Sequence, residues 1–205
     1  MAAAAAAGPA TPIPTAATSA AASALDEVLA ANKAYMRSGQ HTPNMELGVT
    51  RRLAVVTCMD SRLLPEHFLG LKQGEAEVIR NGGGRVTEDV IRSMIVCQDV
   101  LDCNTILVIH HTDCGAHAAL FHPTSAGEHL MSKMGLGEIC INMQPIYDLD
   151  QSVRDDVSKL RSDSHIRAST AIYGLVFETA TGELREVCQD EGTAAEPAPP
   201  AEVTA

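Results

Sequence analysis

The chain has 205 residues, of which 45% are apolar, only 3% are aromatic and none is Trp; its formal net charge is -11. That length suits one compact domain with extended ends, and the acidic balance excludes the basic surfaces that nucleic acid and anionic lipid require. No run of about 18 apolar residues occurs, so no membrane span is expected.

Residues 1–22 are mostly Ala, Pro, Thr and Ser and read as a disordered leader. It lacks the basic start of a secretory signal and has no Arg before Arg37, so a cytoplasmic location is expected. Its Thr and Ser residues leave a transit peptide to a plastid or other organelle as the alternative. A helix is expected from about Ser23 to Gly39, since Leu25, Val28, Leu29 and Tyr35 fall at helical spacing. Residues 41–50 read as loop. The apolar run from Leu53 to Thr57 reads as a buried strand ending at Cys58, and Glu77 to Arg80 as a second, stopped by Asn81-Gly82-Gly83-Gly84. Thr87, followed by Glu88 and Asp89, can cap a helix that runs to about Asp102. Thr105 to Ile109 is a third strand and leads into His110-His111.

Short helices are expected within 116–148. Leu149 to Leu160 forms a further helix, with Leu149, Val153, Val157 and Leu160 on one face. Ala171 to Glu178 reads as a strand, and Thr181-Gly182 as a turn into Glu183 to Val187. The acidic, Pro-rich residues 189–205 read as a disordered tail, which leaves 23–188 as the single folded domain. Strands alternating with helices give an α/β fold, a mostly parallel sheet flanked by helices and closed by a C-terminal strand hairpin.

Polar residues gather where two of these strands end. Cys58, Asp60 and Arg62 follow the first strand, and His111 and Cys114 follow the third. In open α/β sheets sites form beyond the carboxyl ends of the strands, so both groups should meet in one crevice. Six cysteines scattered through a chain of this size suit a reduced compartment with metal ligands better than a disulfide framework. Two thiolates and an imidazole are good zinc ligands, and three protein ligands leave the fourth tetrahedral place to solvent. Asp60 could instead close the site as a fourth ligand, unless Arg62 holds its carboxylate in a bidentate pair. Two other readings stay open: Cys58 and Cys114 as small buried hydrophobes, and a closed structural zinc. His110 neighbours His111 but points to the opposite strand face, as a core residue or a support to the site. His67, His117, His122, His129 and His165 read as surface or packing residues, and Asp113 as a helix cap or an orienter of a ligand.

Cys58-Met59-Asp60-Ser61-Arg62, Arg80-Asn81-Gly82-Gly83-Gly84 and His110-His111-Thr112-Asp113-Cys114-Gly115 together resemble the β-class carbonic anhydrases, in the small branch that reads HHTDCG. The likeness covers roughly 24–188; Gly82 stands where many relatives have Ala. The resemblance implies one Zn2+ per chain on Cys58, His111 and Cys114, an Asp60–Arg62 catalytic dyad, and substrate-binding backbone at Gly82 and Gly83. It also implies an enzyme, a lyase that reversibly hydrates carbon dioxide to bicarbonate and a proton by zinc-bound hydroxide. A homodimer or larger homo-oligomer is implied, with the N-terminal helix packed on a neighbouring subunit. Relatives in this branch hydrolyse carbonyl sulfide or carbon disulfide, which is one alternative. A non-catalytic zinc-binding scaffold, closed by Asp60, is another.

Overall fold

The computed structural model describes residues 17–117 and 144–193. The chain divides into two units, Met1–Asn44 and Met45–Ala205. In the first, helix α1 spans Ala17–Arg37. It starts before Ser23, inside the stretch that composition assigns to the leader. The cause is the alanine run up to Ala24, because Ala is the best helix former and extends the helix backwards. Gly39, at φ +71°, stands just past its end, where a left-handed residue stops a helix.

The second unit holds β1 (Leu53–Cys58), α2 (Pro65–Phe68), β2 (Ala76–Asn81), α3 (Glu88–Asp99), β3 (Thr105–His111), α4 (Leu149–Ser162), β4 (Ala171–Phe177) and β5 (Leu184–Asp190). The sheet order is β2-β1-β3-β4-β5. The first four strands are parallel and β5 returns antiparallel on β4, which is the expected architecture. None of the described helices is long and apolar enough to cross a membrane.

Two boundaries in the second unit also differ from expectation. Helix α3 is capped by the Thr87 hydroxyl, which accepts from Val90 N, but it ends at Asp99 rather than near Asp102. Asp102 takes a left-handed φ of 58° and is held by Arg52 at 2.9 Å, so the chain has already turned towards β3. Strand β5 runs on through Gln189 and Asp190, which composition assigns to the tail. Asp190 pairs with Ile172 across the sheet, and its carboxylate accepts from Arg161 Nε at 2.9 Å. The rest of the leader and tail, and residues 118–143 where short helices are expected, lie outside the described residues.

The period-2 alternation of the strands sorts the core into two faces. Ala54 and Val56 of β1 and Ile106 and Val108 of β3 pack with Val90, Ile91 and Met94 of α3 and Val157 and Leu160 of α4. Val55, Ile109 and Phe177 point to the other face and pack with Leu63, Cys58, Cys114 and Ile146. The Phe68 ring stacks on Phe177, with centroids 4.5 Å apart. The parallel register then lines up the carboxyl ends. Cys58 ends level with Asn81, and His111 with Phe177.

Candidate metal centre

Cys58 is the last residue of β1 and His111 the last of β3, and Cys114 lies three residues further on. Their ligand atoms all fall within 4.8 Å of one another, and all three residues are buried. The two sulfurs are 3.8 Å apart. The Cys58 thiol is pulled down to about 4, first by the hydrogen bond with Cys114 and then, against burial, by His111 and the backbone N–H groups of Asp60 and Gly83. The same hydrogen bond pushes Cys114 up. The two thiols are thus pushed in opposite directions, and a bound cation would hold both as thiolates.

Alternation separates the two histidines. His110 turns to the helix face, where Ser152 Oγ and Asp156 Oδ2 occupy its ring nitrogens at 2.8 and 3.1 Å. His111 turns to the cluster. Its Nδ1–H donates to Thr112 O at 2.9 Å, which leaves the Nε2 lone pair facing the two sulfurs. Thr112 is itself pinned to the end of β4: its N–H donates to Phe177 O, and its hydroxyl oxygen accepts from Thr179 N–H.

Asp60 and Arg62 form the bidentate pair that the sequence suggests. Arg62 Nε donates to Asp60 Oδ1 at 3.0 Å and Nη2 to Oδ2 at 2.8 Å, and the Arg62 backbone N–H donates to Oδ1 at 2.9 Å. The Arg62 side chain is the main reason that the Asp60 carboxyl lies well below the usual carboxylate range. Asp60 Oδ2 is 3.9 Å from His111 Nε2, near the cluster but committed to the guanidinium. Asp60 and Arg62, together with Gly82, Gly83, Asp113 and Cys114, border a cleft of about 810 Å³.

Gly83 (φ +82°) needs the left-handed region, and a Cβ there would come within 3.0 Å of the Ala116 methyl. Of the other histidines, His67 is exposed and His165 pairs with Asp163 at 3.0 Å. His122 and His129 lie outside the described residues. Sequence reasoning missed Arg80. Its Nε donates to Cys58 O at 3.0 Å and its Nη2 to Asp60 O at 2.7 Å, fixing the backbone that presents both residues. The signal was a cation at the carboxyl end of the second strand, next to the end of the strand that presents Cys58. The Asp113 carboxylate accepts from Arg62 Nη1 at 2.6 Å.

Comparison with known proteins decides the family. The family model described as carbonic anhydrase matches residues 53–171. The chain is 35% identical to β-carbonic anhydrase 1 of Mycobacterium tuberculosis, over 79% of this chain and 96% of that protein. The chain belongs to the β-carbonic anhydrase family. A carbon disulfide hydrolase of Acidithiobacillus thiooxidans is also similar, at 30% identity over 66% of this chain and 76% of that one. The crystal structure of a carbonic anhydrase from Streptococcus mutans superposes with a TM-score of 0.72 at 38% identity, covering 80% of this chain and 97% of that one.

A β-carbonic anhydrase is a zinc lyase, and the donor set here fits zinc. Two sulfurs and one imidazole nitrogen converge, which are the donor types zinc takes. Among the described residues the buried His111 Nε2 has no hydrogen-bond partner, a costly state for a polar atom unless a ligand claims it.

Proposed function

We propose that the chain reversibly hydrates carbon dioxide to bicarbonate and a proton, with one zinc ion held by Cys58, His111 and Cys114. The observation that carries this reading is the commitment of Asp60 to Arg62, which among the described residues leaves three converging protein donors. Three protein ligands are the mark of a catalytic zinc site, and four that of a structural one. The same commitment argues against the scaffold reading, since a structural site has no use for a residue that competes for its ligand.

A bound zinc ion supplies Lewis acidity that lowers the pKa of water from 15.7 to about 7. The chain's own residues do the rest. His111 keeps one tautomer because Thr112 O takes its Nδ1 proton. Arg62 keeps Asp60 ionised and fixed, so the carboxylate serves as the hydrogen-bond acceptor that orients the attacking oxygen. Arg80 locks the backbone of Cys58 and Asp60, so that ligand and acceptor keep one spacing. Gly82 and Gly83 give the cleft a wall without side chains, which suits a small, uncharged, linear substrate.

The test is metal analysis joined to a stopped-flow hydration assay. Purified protein is expected to carry about one zinc per chain and to hydrate carbon dioxide. Cys58→Ser, His111→Ala and Cys114→Ser should each lose metal and turnover together, with hydration down at least about a hundredfold, as for loss of a group on which the metal depends. Full metal and full rate in any of the three would remove that residue from the set. The similarity to carbon disulfide hydrolases favours a second substrate class on the same residues. Release of sulfide from carbon disulfide or carbonyl sulfide, measured beside hydration, separates the two. Sulfide release without hydration would replace the first reading by the second.

A further inference from the structure

Arg62 does not touch Asp60 alone. Its guanidinium has five N–H donors in a rigid fork. Nε and Nη2 hold the two Asp60 oxygens, Nη1 donates to Asp113 Oδ2 at 2.6 Å, and Nη2 also donates to Asp113 O at 2.7 Å. Two carboxylates thus grip the group from two sides, and both contribute to raising its pKa. Asp113 lies 51 residues away, on the turn between His111 and Cys114.

The backbone of that turn is unusual. Asp113 has a φ of 54°, left-handed for a residue with a side chain. Asp tolerates this region better than most residues, but it is a costly conformation that persists only where the surroundings hold it. Here it lets the carbonyl and the carboxylate of one residue reach the same guanidinium. A cap or a plain turn would not need both.

We propose that Asp113 is a positioning residue for Arg62, and through it for Asp60; the idea rests on the metal site proposed above. The Arg62 side chain is half exposed on a long flexible stem. With Asp60 as its only partner, the pair could swing as a unit, and the carboxylate could reach the cation and close the site. With the far edge of the fork anchored to the ligand-bearing turn, the Asp60 carboxylate is kept turned aside. The Asp113 side chain is 79% exposed, where an ion pair adds little to stability. Its effect is therefore on geometry at the cation, not on folding.

Cobalt(II) loaded in place of zinc reports on this directly, since its visible spectrum changes when azide takes a coordination place. Asp113→Gly keeps the left-handed turn and its carbonyl but removes the carboxylate. Asp113→Asn keeps a neutral acceptor. Half-maximal spectral change is expected to need roughly fivefold more azide in Asp113→Gly, the size of one exposed charge pair, with Asp113→Asn in between. Adding Asp60→Asn to Asp113→Gly should restore the wild-type azide response, because an amide competes poorly for the cation. Wild-type azide affinity in both single variants would overturn the role of Asp113 and leave the metal site standing. A double variant as weak as Asp113→Gly would assign the loss to general damage and overturn it too. Wild-type protein with no thiolate-to-cobalt charge-transfer band would overturn the metal site, and this inference with it.

Discussion

At the scale of the residue, the three consecutive glycines after β2 carry three different loads. The family resemblance implies Gly82 and Gly83 as the substrate-binding pair, yet the tightest of the three positions is Gly84. A Cβ on Gly84 would stand 2.8 Å from Cys58 N and 2.9 Å from Thr57 C, both backbone atoms of β1, and 3.1 Å from Ile109 O of β3. Its φ is +68°, so a side chain there is strained as well as blocked. The turn is wedged between the strands that end at Cys58 and His111, and neither strand can yield without moving one of these residues. Gly84→Ala is expected to cost about 3 kcal/mol, from overpacking and left-handed strain together. Gly82 has a φ outside the left-handed region and open space where its Cβ would be. Gly82→Ala should therefore stay within about 0.5 kcal/mol of wild type. Urea unfolding of the two variants checks both; equal midpoints would remove the wedge. One-residue resolution of this kind was not legible in a run of identical residues, because it depends on which backbone lies opposite.

At the scale of the element, β3 and α4 meet through a buried ionic group rather than through apolar packing alone. Asp156 of α4 accepts from Arg85 Nε at 2.7 Å, Val86 N at 3.2 Å and the His110 ring at 3.1 Å. Burial opposes its charge, but the bonds from His110 and Arg85 prevail and hold its carboxyl below the ordinary range. The folded pKa is thus lower than the unfolded value of about 3.9, and the folded chain binds fewer protons in acid. The resulting stability is complete above the unfolded value and is lost as pH falls through the folded one. Asp150 and Asp190, lowered by Arg185 and Arg161, act in the same sense. Thermal midpoints should therefore drop below about pH 4. Asp156→Asn should cost about 3 kcal/mol at pH 7, by unpairing the partly buried Arg85, and should flatten the acid slope. An unchanged midpoint with the same acid slope would deny the linkage. The sequence shows Val153, Val157 and Leu160 as the packing face of α4, because apolar residues at helical spacing are visible without a partner. It does not show Asp156, whose partner Arg85 is 71 residues away and whose role follows from the sheet register.

At the scale of the whole chain, the carboxyl ends of β1 and β3 were legible because polar residues follow directly on apolar runs. The opposite facing of His110 and His111 was legible from strand alternation. Arg80 and Asp113 were not, since each acts on a residue far away in sequence. The boundary of α1 was misplaced because alanine reads both as low complexity and as strong helix. That helix carries the last argument. Leu25, Val28 and Leu29 lie at i, i+3 and i+4 and are 58, 65 and 49% exposed. An apolar stripe on a helix normally faces another surface, and a second copy of the chain is the partner that the family resemblance implies. The full chain is therefore expected to sediment as a dimer or a larger assembly at micromolar concentration. Leu25→Asp with Leu29→Asp should weaken that assembly by at least about tenfold, as loss of two central apolar anchors does. Circular dichroism should show the folded second unit intact, since its two core clusters draw on neither residue. A monomeric wild-type chain, or a double variant of unchanged sedimentation, would leave this stripe without a role in assembly.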